Sequence, residues 1–337
     1  MKKVSIKDLA KSLDLSVATV SKALRDSHEI SQETKNRVLA LARQLHYTPN
    51  PYASSLRKKK SNTIAVILPE VADNFFSLAI NGIQSVAEKK GYHVLIYLSH
   101  EKFHHERTIV EDCGSGRVDG VLISVSGETD TSSHIEKLRK ENIPVVFFDR
   151  ELEGVDACSV VTNDFELGYQ AAKLLLQRKC QKPLFLSLSC TLPICNQRAE
   201  GFLAALGERE PPVDYNPILY CTGTDAENRA FIAKTLRGPH PPDGVIASVE
   251  RLAIQTYMVC HELDIRIPED LKVIAFSAIE AASILDPPLT TITQPAFEIG
   301  KTAATVLFKA IEKPDHHVSA EKLVIPSQLI ERVSSGR

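Results

Sequence analysis

Two hydrophobic rhythms divide this chain. Near its start, Ile6, Leu9, Ala10 and Leu13 recur at helical spacing behind Ser5-Ile6-Lys7-Asp8, which has capping-box form. They predict a short helix over about 6–13. Asp14 supplies a turn, and Ser16 caps a second helix over about 17–24 that turns Val20 and Leu24 inward. Val17, Ala18, Ser21 and Lys22 are left on another face. After the loop 25–30, Ser31 caps a third helix whose buried stripe is Val38, Leu41, Ala42 and Leu45. Two short helices joined by a tight turn form a helix-turn-helix pattern, whose second helix is shaped to enter the major groove of DNA.

From Thr63 onward the rhythm changes. Apolar runs rich in β-branched residues alternate with amphipathic stretches, the order expected of parallel sheets covered by helices. Strands are predicted at 63–68, 93–98, 120–124 and 144–148, with helices near 75–90, 104–115 and 132–142. A second set begins near Val160, with strands at 183–188, 217–220, 244–247 and 271–276 and helices near 165–178, 197–207, 225–237 and 250–263. The predicted class is therefore α/β: a three-helix head followed by a body of two similar lobes with parallel sheets.

Between head and body, residues 49–60 read Pro-Asn-Pro-Tyr-Ala-Ser-Ser-Leu-Arg-Lys-Lys-Lys. Asn50 can N-cap a helix and Pro51 suits its first turn, yet an isolated helix this short is marginal in water. Leu56 is the one large aliphatic side chain among Ser and basic residues. A conditional helix with one apolar knob and a basic tail fits a minor-groove wedge, while a solvated linker fits the same composition.

Charge sharpens this division. Of the 337 residues, the first 60 hold 13 Lys+Arg against 5 Asp+Glu, whereas the remainder holds 27 against 37. A basic head on an acidic body points to a polyanion partner for the head alone. Seven cysteines with no C-x-x-C pair indicate neither a zinc site nor a disulfide framework, and suit a reducing cytoplasm. No signal-peptide core and no apolar run near ~18 residues is visible, so no membrane role is expected.

Val4-Ser5-Ile6-Lys7-Asp8-Leu9-Ala10, Ser16-Val17-Ala18-Thr19-Val20-Ser21-Lys22-Ala23-Leu24 and Tyr47-Thr48-Pro49-Asn50 resemble the signature of the lactose-repressor (LacI) family of bacterial transcription regulators. The resemblance implies that 1–48 bind DNA, that 49–60 form a hinge, and that 61–337 form an effector-binding and dimerising body like a periplasmic binding protein. By carry-over Val17, Ala18 and Lys22 read bases. Ser16, Thr19, Ser21, Asn50 and basic neighbours including Arg57 meet phosphates, and Leu56 intercalates at the centre of a palindromic operator. Asp14 replaces the family's usual Gly and Lys22 its usual Arg, which removes bidentate guanine recognition at that position. Residues 289–295 and the helical stretch 297–311 resemble the family's return crossing into the first lobe. Lobe 1 would span about 61–160 and 293–320, and lobe 2 about 161–290 with the tail, 321–333.

In open α/β sheets ligands bind beyond the carboxyl ends of strands. Those positions carry Asp73, Asn74 and Phe75, then Ser124, then Asp149, and in the second lobe Glu250 and Ser277, with Arg198 in the segment 196–202. Carboxylates and Arg suit hydroxyl groups, and Phe suits an apolar ring face, so a sugar-like effector is expected. The resemblance places Asp149, Arg198, Gln294, Asn74 and Phe75 at effector positions. Ser277 stands where the family usually has Asp. That loss favours a sugar acid or sugar phosphate, whereas Glu250 favours a neutral sugar. No phosphate-binding loop, nucleophile elbow or H-E-x-x-H is present, so no enzyme, cofactor or metal is expected. His104-His105 and His316-His317 are adjacent pairs whose side chains diverge. A two-lobed sugar-binding protein or enzyme with an accessory basic head is the competing reading.

Overall fold

A computed structural model describes residues 4–47, 60–71, 74–152, 154–212, 214–313 and 321–336. The chain divides into two compact units between Ser61 and Asn62. Asn50, Leu56 and Arg57 of the expected hinge, and Asp73, lie outside the described residues.

The first unit consists of α1 (Ile6–Leu13), α2 (Val17–Ala23) and α3 (Gln32–Gln44). Each starts where a serine satisfies an orphan amide: Asp8 N–H donates to Ser5 Oγ, Thr19 N–H to Ser16 Oγ, and Thr34 N–H to Ser31 Oγ. Asp14 terminates α1 in the left-handed conformation, φ 51°, that the tight turn requires. Leu9, Ala10, Val20, Ala23, Val38 and Ala42 form the buried core, with Leu24, Leu41 and Leu45 half-buried around it. Lys35 is also buried, its ammonium 2.7 Å from Asp26.

The second unit holds β1 (Thr63–Leu68), α4 (Asn74–Lys90), β2 (His93–Leu98), α5 (Phe103–Cys113), β3 (Gly120–Ile123), α6 (Ser133–Lys140), β4 (Val145–Phe148) and β5 (Cys158–Thr162). It continues with α7 (Asp164–Gln177), β6 (Pro183–Ser187), α8 (Pro193–Gly207), β7 (Ile218–Tyr220), α9 (Asp225–Leu236), β8 (Gly244–Ala247), α10 (Glu250–Glu262), β9 (Lys272–Phe276), β10 (Thr290–Thr293), α11 (Ala296–Glu312), β11 (Lys322–Ile325) and β12 (Gln328–Ile330). Two six-stranded sheets result, in the orders β11-β5-β4-β3-β1-β2 and β12-β10-β9-β8-β6-β7. Among the described residues all strand pairings are parallel except β10 with β12. Helices cover both faces, so the central strands are buried throughout and read as unbroken apolar runs.

The tail departs from expectation. Rather than completing the second lobe, 321–333 divides: β11 pairs with β5 at the edge of the first sheet, and only β12 joins the second. The strand β10 likewise belongs to the second sheet, and α11 packs with α4 on the first. Among the described residues three crossings thus join the lobes, at 163, 294–295 and 326–327. The outer two are tied where Ser327 N–H donates to Asn163 Oδ1 at 2.8 Å.

Candidate functional site

On the head, α2 exposes Val17 and Ala18, with Ser16 exposed at its cap and Thr19 half-buried. Ser16 and Thr19 hydroxyls lie 2.8 Å apart, and Arg25 donates to Ser21 Oγ at 2.8 Å. Lys22 is ion-paired with Glu29 from the following loop. The Lys22 ammonium holds the Glu29 carboxyl below its usual range, through its hydrogen bond first and its charge second.

In the body, strand ends from both lobes converge on a cleft. From the first lobe come Phe75 and Phe76 at the start of α4, and Asp149 and Arg150 just beyond β4. Asp149 is left-handed, φ 62°, which ends β4 in a sharp turn. Arg198 projects from α8, Glu250 begins α10, Phe276 ends β9, and Ser277 and Ala278 follow it. Gln294 lines the same space from the second crossing. Leu188, Leu192, Ile194 and Cys195 make an apolar side.

Polar contacts fix these groups. Arg198 is 3% exposed; its Nε donates to Asp164 Oδ1 and its Nη1 to Ser248 O, both at 2.6 Å, and its guanidinium lies 4.2 Å from the Phe276 ring centre. Its Nη2 is buried and has no hydrogen-bond partner among the described residues. Such an atom costs free energy until a ligand satisfies it. Arg150 Nη1 donates to both oxygens of Glu101, at 3.0 and 2.9 Å. Burial opposes the Arg150 charge, but Glu101 and then Asp149 outweigh it and raise its pKa. Ser277 Oγ donates to Glu250 Oε2 at 2.8 Å. Burial pushes the Cys195 thiol up, with Arg198 and Arg150 pulling partly back.

Most sequence-expected positions therefore meet in one place: Phe75, Asp149, Arg198, Glu250, Ser277 and Gln294. Asn74 instead spans the cleft, its Nδ2 donating to Ala278 O at 2.8 Å. Ser124 is fully buried behind the site and donates to Asp149 at 3.4 Å. Glu101 and the apolar wall were not expected from sequence. Glu101 follows a strand end, as Asp149, Ser277 and Gln294 do, but leucines, Ile194 and Cys195 carry no polar signal. Among the described residues no group of three His, Cys, Asp or Glu side chains could hold a metal ion, and no helix is long and apolar enough to cross a membrane.

A helix-turn-helix unit and a two-lobed body with a polar, aromatic-walled cleft define a ligand-responsive DNA-binding protein. Residues 5–50 match the family described as bacterial regulatory proteins, lacI family, and residues 172–335 match the periplasmic binding protein-like domain. The ribose operon repressor of Bacillus subtilis is 33% identical over 92% of each chain. A LacI family transcriptional regulator from Enterococcus faecium, solved with bound ribose, is 26% identical with a TM-score of 0.71, over 81% of this chain and 98% of that one. A lac repressor dimer bound to operator and the anti-inducer ONPF shares the fold at a TM-score of 0.85 and 21% identity, over 99% of both chains. The chain belongs to the LacI family of bacterial regulatory proteins. As such it is a DNA-binding transcriptional repressor regulated by a small-molecule effector.

Proposed function

We propose that this repressor responds to a sugar bound between its lobes, with D-ribose the first to test. The carrying observation is the convergence of Asp149, Arg150, Arg198, Glu250 and Gln294 with Phe75, Phe76 and Phe276 on one cleft. Carboxylates and guanidinium groups serve hydroxyls, and the phenyl rings cover C–H faces of a sugar ring. The ribose-related relatives support the same choice.

In this reading residues 1–48 hold the operator through Ser16, Val17, Ala18, Thr19, Ser21 and Lys22. Residues 49–60, with Asn50, Leu56 and Arg57, couple head to body, and 61–337 bind the effector and pair as a homodimer. Exposed Leu95 and Ile96 on the edge strand β2, together with exposed Phe231, Met258 and Ile284 on the second lobe, support pairing. Asn74, which bridges the cleft, makes lobe closure the variable that an effector shifts. A ligand moves that equilibrium only by its differential affinity for the two states, typically ~1–3 kcal/mol of coupling.

The test is a thermal-shift titration of the full-length protein with D-ribose, followed by operator binding with and without the sugar. A ligand bound only by the native state, at 100 times its Kd, stabilises by about 2.7 kcal/mol. A rise in Tm and an altered operator affinity are expected. An unchanged Tm across pentoses and hexoses at about 10 mM, roughly 100 times a Kd of ~0.1 mM, would remove the sugar from this reading.

A further inference from the structure

Both arginines that line the inner cavity, Arg198 and Arg150, are matched by a carboxylate that lies outside it. Asp164 serves Arg198, and Glu101 serves Arg150. The second pairing is unusual in how it is built. Glu101 sits in the turn after β2, where His100 and Glu101 are both left-handed, φ 53° and 59°. Consecutive non-glycine residues hold that conformation only when tertiary contacts fix them. Here His100 N–H donates to Pro69 O and Lys102 N–H to Ser99 O, both at 3.0 Å, and the Glu101 carboxylate adds its own contacts: both oxygens accept from Arg150, and Oε2 also accepts from Gly127 N–H at 2.7 Å. A Cβ at position 127 would stand 3.2 Å from that oxygen, tighter than ordinary contact. Gly127 O in turn accepts from Thr191 Oγ1 of the second lobe at 3.3 Å.

The placement decides what the carboxylate does. Arg150 lines both the inner cavity and the wider outer mouth, whereas Glu101 lines only the mouth. Around the cavity and its mouth, among the described residues, Glu70, Glu101, Asp149, Asp164, Asp225 and Glu250 stand against Arg150, Arg198, Arg229 and Arg251, six carboxylates to four cations. We propose that Glu101 sets the charge of the effector, by occupying the Arg150 guanidinium that a ligand carboxylate or phosphate would otherwise take. The cleft then accepts a neutral sugar and rejects the corresponding sugar acid and sugar phosphate. This inference rests on the sugar reading for its ligand, but not for its test on Arg150 itself.

Two arms separate the two ideas, both on the full-length protein. In the first, wild type and Glu101→Gln are titrated with D-ribose, D-ribonate and ribose 5-phosphate. Wild type is expected to bind ribose and neither anion, and the variant to shift the anion-to-ribose affinity ratio at least ~10-fold toward the anions, about 1.4 kcal/mol. In the second arm the probe is inorganic phosphate, compared with chloride at equal ionic strength, and the readout is the difference in Tm response between wild type and variant. The head is common to both proteins, so phosphate bound there cancels. Phosphate should stabilise Glu101→Gln beyond wild type, and Glu101→Asp, one methylene too short to hold Arg150, should fall between them; the Asp variant also stands in should Gln fail to fold. An equal phosphate response in wild type and both variants overturns the inference, whatever the sugars do. No sugar binding together with a gained phosphate response would sink the sugar reading and leave the role of Glu101 standing.

Discussion

Arg198 is structural in its contacts and is also proposed to meet the effector. Its guanidinium is buried on Asp164, Ser248 and the Phe276 face, and its Nη2 amino group still has no hydrogen-bond partner among the described residues. Lysine cannot supply that fork, because its three donors radiate from a single point. Arg198→Met is expected to abolish effector-induced stabilisation and to cost about 3–5 kcal/mol, since it strands the Asp164 carboxylate in a buried position. Chemical denaturation would show the loss, and adding Asp164→Asn should recover part of the stability without recovering effector binding. Full recovery of binding in the double variant would argue that Arg198 only neutralises Asp164. On the head, Lys22, the cation proposed to meet the operator, is likewise already engaged inside its own unit, with Glu29.

At the scale of elements, the two lobes are built around the same device. In the first lobe Gly82 of α4 and Gly300 of α11 meet at a helix crossing; in the second, Gly168 of α7 and Gly201 of α8 do the same. A Cβ on Gly82 would lie 2.1 Å from Phe297 O, and one on Gly300 2.0 Å from Ala79 O. On Gly168 it would lie 2.1 Å from Arg198 O, and on Gly201 1.9 Å from Phe165 O. These are backbone atoms, so a side chain can be admitted only by moving a helix. The second pair also sets the height of Arg198 over the cleft, because Gly168 packs against the Arg198 carbonyl. Gly201→Ala is expected to destabilise by about 1–3 kcal/mol through overpacking and to weaken effector binding. An unchanged Tm would show that α7 and α8 separate easily. Chain order gives little hint of this likeness, since α4 and α11 are far apart in sequence while α7 and α8 are close neighbours.

For the whole molecule, pairing is the property that turns two heads into a reader of a twofold site. The edge strand β2 leaves consecutive apolar residues, Leu95 and Ile96, exposed where an isolated monomer would carry polar ones. Replacing both by Asp is expected to yield a single chain by sedimentation and to weaken operator binding at least ~10-fold, about 1.4 kcal/mol, since linked half-sites are lost. A dimer that survives would move the interface elsewhere.

Much of this was legible in the residues. Local signals fixed the head: Ser caps and the 3.6-residue stripes of Leu9, Val20 and Val38 name its helices, because those interactions close within a turn or two. Unbroken β-branched runs named the central strands for an equally local reason, burial on both faces. The strand-end rule found Asp149, Glu250 and Ser277. It did not reveal that Ser277 spends its hydroxyl on Glu250, that Ser124 sits behind Asp149, or that Glu101 reaches Arg150, 49 residues away. Nor did it divide the tail between β11 and β12, since which sheet a short apolar run joins depends on which edge is open. Sequence alone thus determined the elements, the charge division between head and body, and most of the residues around the cleft. Only the tertiary structure decided which of those groups are already paired with one another, because charge matching in a cleft depends on distances between segments far apart in the chain.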